Sequence, residues 1–213
     1  MCGKFTAKAN WAQIVEFIYS DPPRDAGEPI TYRVMGEVPV IVRDADERRS
    51  MMMRWGFPDP KDFRKPRPIH ARAETIDTTP AFASAFRDGQ RGIVLVDSFN
   101  EAPESGEQHT IHSGPAGIAF VWRRFLVGDQ PLLACVMVTV AANRLVAALP
   151  TDRMPAILAP QDWAVWLGEE GTPGDAKACL RIVEDVRWTM TREERARTGK
   201  RARPTVAEPT GLF

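Results

Sequence analysis

Cys2 stands directly after the initiator methionine, and this position gives a cysteine chemistry that an internal cysteine lacks. A small residue at position 2 favours removal of Met1, which would leave Cys2 as the amino terminus. Such a residue carries two nucleophiles on adjacent carbons, an α-amine that titrates near ~8 and a thiol that titrates near ~8.5. Together they can capture an aldehyde, because the amine forms an imine and the thiol then closes a thiazolidine ring. The alternative is that Cys2 is an incidental residue at a frayed chain end.

A second cluster, residues 70–75, places a histidine and an arginine two positions apart. His70 could orient or activate a nucleophile. Arg72 could hold a phosphate through two parallel hydrogen bonds. Equally, both side chains could be solvated or ion-paired residues that simply follow a loop.

Two further charged residues adjoin apolar segments that predict strands. Glu101 follows the apolar run 93–99, and a carboxylate at the end of a buried strand is well placed for acid–base catalysis. Arg153 precedes the apolar run 154–158 and could hold a phosphate or form a structural ion pair. A lone glutamate in a loop is more often merely exposed, so neither residue decides the chemistry alone.

Trp55 is the tryptophan that we consider as a base-stacking surface. It lies beside Arg54 and shortly before the basic, proline-rich segment 58–68. Other site types lack their motifs: there is no glycine-rich phosphate loop and no Gly-x-Ser-x-Gly elbow. His109 and His112 lie three residues apart, but no cysteine or acidic motif completes a zinc set. We therefore expect neither a metal ion nor an organic cofactor.

The composition is that of an ordinary globular protein with no global attraction to nucleic acid. The 213 residues include 28 basic and 28 acidic side chains, so the formal net charge is zero and any DNA site must be local. Three cysteines without paired spacing fit a reducing compartment better than a disulfide framework. Without a secretory pattern or a transmembrane run, we expect a cytosolic protein with no membrane partner.

The hydrophobic pattern predicts strands and helices interleaved without regular β-α-β units. Strands are expected at 38–42, 93–99, 118–122 and 134–141, and helices at 6–20, after Pro160 and over 175–183. This order favours an α+β fold with a largely antiparallel core. The segment from residue 191 is basic with little core pattern, so we expect one domain over 1–190 and a flexible tail over 191–213.

Taken together, the clusters resemble the SRAP (SOS response-associated peptidase) family, which includes the abasic-site-processing proteins. Five motifs resemble those of the family in the same order along the chain. They are Met1-Cys2-Gly3-Lys4-Phe5, Arg54-Trp55-Gly56-Phe57-Pro58, residues 70–75, residues 97–101, and Arg153 to Leu158 followed by Trp163 and Trp166. The resemblance covers residues 1 to about 168, and it implies a curved, mostly antiparallel β core with flanking helices.

The resemblance also implies an activity. The family binds single-stranded DNA at abasic sites, and its N-terminal cysteine, here Cys2, forms a thiazolidine crosslink that shields the lesion during the DNA damage or SOS response. Glu101 matches the acidic residue that assists, and the same pair is invoked for the peptidase activity, with lyase character also expected. Lys4, Arg72 and Arg153 then become DNA contacts, together with Arg54 and Trp55. With this resemblance we expect a monomer in the bacterial cytosol or associated with the nucleoid.

Two positions depart from the family pattern. His70 stands where the family has asparagine, and Thr151 stands where it has the histidine that works on ring opening or reversal. Threonine cannot act as a general acid or base near neutral pH, so the steps that need that histidine are open. The resemblance therefore predicts a catalytic set of Cys2, Glu101, His70 and Thr151, in which His70 could take over part of the missing role.

Three functions stay open from the residues. The first is a crosslinker that captures abasic single-stranded DNA through Cys2. The second is a related module that binds single strands without the chemistry, which Thr151 and the zero net charge would suit. The third is an N-terminal-cysteine peptidase or amidohydrolase. The first predicts that Cys2, Glu101 and His70 converge in one groove, with Arg72 and Lys4 on its walls and Thr151 facing in.

Overall fold

The computed structural model describes residues 2–7, 30–101, 107–184 and 187–193. Within these ranges the chain is rich in β-strands with few and short helices, and the predicted α+β class is confirmed. The helix predicted over 6–20 lies outside the described residues from position 8 onward. Thr6, the first residue of that predicted helix, is instead part of a strand and pairs with Thr31 and Ser98.

The strands and helices of the described ranges are numbered here in chain order. The strands are β1 (Lys4–Ala7), β2 (Ile30–Arg33), β3 (Glu37–Asp44), β4 (Glu47–Trp55), β5 (Pro58–Asp59), β6 (Asp62–Pro66), β7 (His70–Arg72), β8 (Arg91–Glu101), β9 (His109–Val127), β10 (Gln130–Ala141), β11 (Arg153–Pro155), β12 (Ile157–Leu158) and β13 (Thr189–Arg192). The α-helices are α1 (Ala83–Arg87), α2 (Trp163–Leu167) and α3 (Pro173–Ala178).

Five of the strands pair in a closed ring, in the order β8, β9, β10, β4, β3 and back to β8. Neighbours in the ring are antiparallel except β10 and β4, which are parallel. The expected curved, mostly antiparallel sheet therefore closes on itself, which leaves these strands without a free edge. Alternate side chains fill the interior, and Val40, Ile93 and Val136 are all 0% exposed.

The helix α2 covers the outside of β8. Trp166 donates its indole N–H to the carbonyl of Gly92 over 2.9 Å. A Cβ at position 92 would lie 2.4 Å from the Val40 side chain, so only glycine fits this crossing. Gly168 ends the helix at φ 79°, a left-handed backbone conformation that favours glycine. The helix predicted over 175–183 runs instead from Pro173 to Ala178 and begins with a capping box between Thr172 and Asp175.

Two strands bring the sequence-distant motifs together. β1 lies between β2 and β8, with Lys4 opposite Arg33 on one side and Asn100 on the other. Because β8 ends at Glu101, this register carries the chain back from Lys4 to Cys2 beside that carboxylate. β7 runs parallel to β10, which sets His70 beside Met137. The start of the chain, the His70 motif and the end of β8 therefore meet at one place.

The last described strand crosses the predicted domain boundary at residue 190. β13 pairs antiparallel with β9, and Arg192 lies opposite His109. Thr191 and Arg192 therefore belong to the sheet, whereas the predicted tail from 194 onward lies outside the described residues. No helix within the described ranges combines the length and apolar character needed to cross a bilayer.

Candidate functional site

The centre of the site is Cys2, whose polar atoms contact groups from three parts of the chain. Its backbone N–H faces the carboxylate of Glu101, and this interaction lowers the pKa of that carboxyl. Its carbonyl oxygen lies 2.7 Å from Nε2 of His70. Its thiol donates to the carbonyl of Lys4, with Sγ and O 3.2 Å apart. The structure thus brings Cys2, Glu101 and His70 together, and the carboxylate lies at the nitrogen that becomes an amine once Met1 is removed.

The thiol of Cys2 is buried and electrically neutral. The side chain is 2% exposed. Burial, followed by the charge of Glu101, raises the pKa of the thiol to about 12, and backbone hydrogen bonds oppose the rise. At neutral pH the sulfur therefore keeps its proton, so chemistry at this site has to begin at nitrogen or remove that proton locally.

Glu101 is the last residue of β8 and is 0% exposed. Burial raises the pKa of its carboxyl, and the positively charged amino terminus, followed by the Cys2 amide, partly offsets this rise. A raised pKa makes the carboxylate a stronger base. This matters because the group it touches is a nitrogen that would carry a proton as a free amine.

His70 presents one nitrogen to Cys2 and keeps the other free. Since a carbonyl can only accept, Nε2 of His70 carries the proton and donates it to Cys2. Nδ1 is then the lone-pair nitrogen, and it is buried without a hydrogen-bond partner among the described residues. Burial lowers the pKa of His70, so the ring is neutral at neutral pH. The site therefore holds a neutral imidazole with an unused proton acceptor.

Trp55 does not offer the stacking face that the sequence suggested. Its side chain is 0% exposed, and its ring lies 5.0 Å from that of Phe5 and 6.0 Å from that of Phe120. Its indole N–H donates to the carbonyl of Ile69 over 3.2 Å. Burying a large apolar ring at the end of β4 stabilises the ring of strands more than exposure to solvent would. Trp55 is a core residue, and the edge-on ring of His70 lies beside it with the ring centroids 6.4 Å apart.

Arg153 is likewise occupied within the fold rather than open to a DNA phosphate. It is 8% exposed, and its two terminal nitrogens donate to the Glu74 carboxylate over 2.6 and 2.9 Å. One of them also donates to the carbonyl of Thr139 over 2.5 Å. A buried guanidinium needs such partners, because an unpaired one would be too costly to bury. Of the two alternatives from the sequence, the geometry matches the structural ion pair.

The other three predicted DNA contacts lie at the surface in different states. Arg72 is exposed at the end of β7. Arg54 is half-buried, with its guanidinium 3.3 Å from the sulfur of Met35. Lys4 is bound in an ion pair, with Nζ 2.8 Å from the nearer carboxylate oxygen of Glu193. Arg72 is thus open to an anion, whereas Lys4 already holds one.

The sequence of this chain is similar to those of known proteins. The family described as SOS response associated peptidase (SRAP) matches residues 1–194. This chain belongs to the SRAP family. Among curated relatives, the abasic site processing protein YoqW of Bacillus subtilis is 29% identical over 189 residues, covering 82% of this chain and 84% of YoqW. The abasic site processing protein YobE of the same organism is 29% identical over 199 residues, covering 87% and 90% of the two chains.

Solved structures share the SRAP fold of this chain. A crystal structure of a protein from Bordetella bronchiseptica superposes with a TM-score of 0.76 at 20% identity, covering 91% of this chain and 100% of the other. A protein from Bacteroides thetaiotaomicron gives 0.75 at 19% identity, covering 91% and 93%. At these identities the likeness concerns the fold.

Thr151 contributes no titratable group to the SRAP site. It lies in the loop before β11, and its hydroxyl donates to the carbonyl of Arg153 over 3.3 Å. Its backbone N–H donates to the carbonyl of Leu149 over 2.7 Å. The hydrogen bonds of Thr151 thus serve its own loop, and they do not reach Cys2, Glu101 or His70.

Several residues of this SRAP site escaped the sequence analysis. Asn100 and Thr110 face each other across β8 and β9 and both contact Glu193. His109 lies opposite Glu101 in the same ladder, on the same face of the sheet. Phe63 is an exposed aromatic side chain, 52% accessible, within the basic β6. Phe63 could have been noticed in its basic segment, whereas the other contacts depend on strand register, which the local sequence does not reveal.

Proposed function

We propose that this SRAP protein captures abasic sites in single-stranded DNA through a thiazolidine crosslink to Cys2. The observation that carries the proposal is the contact between the Glu101 carboxylate and the backbone nitrogen of Cys2. Removal of Met1 turns that nitrogen into an amine beside a buried base. The names of YoqW and YobE, both abasic site processing proteins, support the same substrate class.

The first step forms a carbon–nitrogen bond. Glu101 takes a proton from the α-ammonium of Cys2, and the neutral amine attacks the aldehyde carbon of the ring-opened sugar. The carbinolamine that results loses its hydroxyl group as water and becomes an imine. The proton held by Glu101 can be returned to that departing oxygen, so one carboxyl group serves both halves of the step.

The second step forms the carbon–sulfur bond. The thiol of Cys2 adds to the imine carbon, and its proton ends on the imine nitrogen, which becomes the secondary amine of the thiazolidine. No oxidant or reductant is needed, and water is the only product released. Because burial keeps the thiol protonated, a local acceptor has to relay the proton, and the free Nδ1 of His70 or the carboxylate of Glu101 can do so.

Two exposed side chains are candidates for contacts with a single strand of DNA. Arg72 is exposed next to the His70 motif and can hold a backbone phosphate. Phe63 lies between Asp62 and Arg64 on β6 with its ring open to solvent. It is the aromatic side chain on which we expect a base to stack, in place of the buried Trp55. The overall zero charge then allows binding through a local patch.

The missing histidine at position 151 limits what this SRAP protein does after capture. Thr151 cannot exchange protons near neutral pH, and its hydroxyl is engaged with its own loop. We therefore expect capture to persist, because Cys2 and Glu101 are present, whereas ring opening or reversal that needs an acid at position 151 is slowed.

The test is incubation of the Met-processed protein with a single-stranded oligonucleotide that carries one abasic site, followed by a denaturing gel. We expect a shifted band that Cys2→Ala abolishes and that an undamaged oligonucleotide does not give. Intact mass of the starting protein establishes whether Met1 has been removed. Processed protein that binds the damaged strand without forming the band would refute the proposal and favour a non-covalent binding module.

A further inference from the structure

The carboxylate of Glu193 occupies an anion site that includes Lys4, which lies two positions after Cys2 in the chain. One oxygen accepts from Lys4 Nζ at 2.8 Å, from Asn100 Nδ2 at 2.5 Å and from Thr110 Oγ1 at 2.9 Å. The other oxygen accepts from Lys4 Nζ at 3.0 Å. Three donors from three strands therefore converge on one carboxylate. Glu193 itself is the residue that follows the last described strand.

Strand register explains why these donors converge. Arg33 on β2 lies opposite Lys4 on β1, Lys4 lies opposite Asn100 on β8, and Asn100 lies opposite Thr110 on β9. The four side chains form a row across neighbouring strands on one face of the sheet. Within the row Asn100 is 6% exposed, so its amide is a fixed, buried donor rather than a flexible surface group. We call these four residues the donor row.

The donor row has the chemistry of a phosphate site. It combines two cations with an amide and a hydroxyl, and each offers N–H or O–H groups that a phosphodiester oxygen can accept. The row also stabilises negative charge: burial opposes ionisation of Glu193, but hydrogen bonds from Lys4 and Thr110 and the charges of Lys4 and Arg33 lower the pKa of its carboxyl. Glu193 is therefore an anion at neutral pH.

We propose that the donor row binds a backbone phosphate of the DNA strand beside the lesion, and that Glu193 competes with this phosphate in the free protein. β13 delivers the competitor, because its ladder with β9 ends at Arg192, one residue before Glu193. DNA binding then requires the carboxylate to leave, so the apparent affinity is the intrinsic affinity multiplied by the fraction of molecules in which it has left. The inference rests on the proposed function for the identity of the strand.

Glu193→Gln tests the competition, because it removes the charge while it keeps the size of the side chain. Binding is measured by fluorescence anisotropy with an undamaged single-stranded oligonucleotide across a salt series. We expect Glu193→Gln to bind about 3- to 30-fold more tightly than wild type. Adding Lys4→Ala to Glu193→Gln should remove this gain and reduce the salt slope by about one phosphate contact.

Glu169→Gln is the matched control, because it also removes one negative charge from an ion pair, the one with Arg48 on another part of the surface. If Glu193→Gln tightens binding no more than this control, the ion pair of Glu193 serves only the fold and the inference is overturned. Melting curves establish that both variants fold, and Glu193→Ala provides a second variant for the same comparison.

The abasic-site gel assay, run in parallel, separates the two proposals. Loss of crosslinking with retained tightening by Glu193→Gln refutes the proposed chemistry but supports the competition. Normal crosslinking with no tightening does the reverse.

Discussion

Replacement of Glu101 by glutamine is the most direct test of the proposed chemistry. The change is nearly isosteric, so it preserves the packing at the end of β8, where the side chain is 0% exposed. It also leaves an oxygen that can accept from the Cys2 nitrogen. What it removes is the base that takes the proton of the α-amine.

The size of the expected rate loss follows from the role of Glu101 as a general base. A positioned general acid or base contributes about 10²- to 10⁴-fold to a rate. Glu101→Gln should therefore slow crosslinking at neutral pH by about 100-fold or more, and a 100-fold loss corresponds to about 2.7 kcal/mol of transition-state stabilisation. Non-covalent affinity for the strand should stay within a few-fold, because Glu101 is not among the cations and rings that face DNA.

The pH profile adds a second signature. Since burial raises the pKa of Glu101 above its ordinary 4.5, the active carboxylate is lost as pH falls through that raised pKa. The wild-type rate should show this acid limb, and Glu101→Gln should lose the part that Glu101 contributes while keeping the part that protonation of His70 contributes. The assay is single-turnover crosslinking with excess protein, quantified on denaturing gels between pH 4.5 and 8.

Stability should move in the opposite direction to activity. In the folded chain Glu101 holds its proton more tightly than in the unfolded chain, so its ionisation costs stability that grows as pH rises above the ordinary pKa and is complete above the raised pKa. Glu101→Gln should therefore melt at the same or a higher temperature than wild type at pH 7, with the gap narrowing as pH falls toward 4.5. A variant that folds, binds and crosslinks at the wild-type rate would refute the assignment of Glu101 as the base.

Three further predictions concern the residues around this centre. His70→Asn should slow crosslinking about tenfold or more and remove the rate loss seen as pH falls through the lowered pKa of the imidazole, measured in the same gel assay. Trp55→Ala should cost about 3–5 kcal/mol of folding stability in urea unfolding, whereas Phe63→Ala should leave stability unchanged and weaken single-strand binding by about 1–3 kcal/mol. Glu74→Gln should lower stability by about 1–3 kcal/mol, because it leaves the buried Arg153 without its carboxylate; unchanged affinity for DNA would separate this role from a phosphate contact.

The sequence predicted individual strands better than the pairing that closes them into a ring. Apolar runs located β8, β9 and β10, because buried strands need continuous or alternating apolar side chains. The ring itself depends on β8 pairing with both β3 and β9. Such pairings join segments distant in the chain, and a single sequence does not encode their register locally. The resemblance to the family supplied the order of motifs but not the ring of strands.

In the candidate site, too, the sequence predicted several residues but not the contacts that they make. Resemblance selected Cys2 and Glu101, and the register of β1 against β8 places them in contact. It also suggested Arg153 as a DNA contact, where the structure has a buried ion pair. For a charged residue, local sequence gives the charge but not the partner. Lys4 illustrates this, since its partner Glu193 lies 189 positions away.

The position of the imidazole connects these findings. The resemblance expects a histidine at 151 and an asparagine at 70, whereas this chain has threonine at 151 and histidine at 70. Thr151 bonds to its own loop, but His70 donates to the carbonyl of Cys2 and has its Nδ1 buried without a hydrogen-bond partner among the described residues. A proton acceptor has therefore not been lost from the centre but is supplied by a different strand. Because this imidazole is hydrogen-bonded to Cys2, the proposed nucleophile, we expect it to serve the transfers at nitrogen and sulfur better than a step at the sugar oxygen. Thr151→His added to His70→Asn separates the two roles, since it should return ring opening or reversal without returning the rate of ring closure.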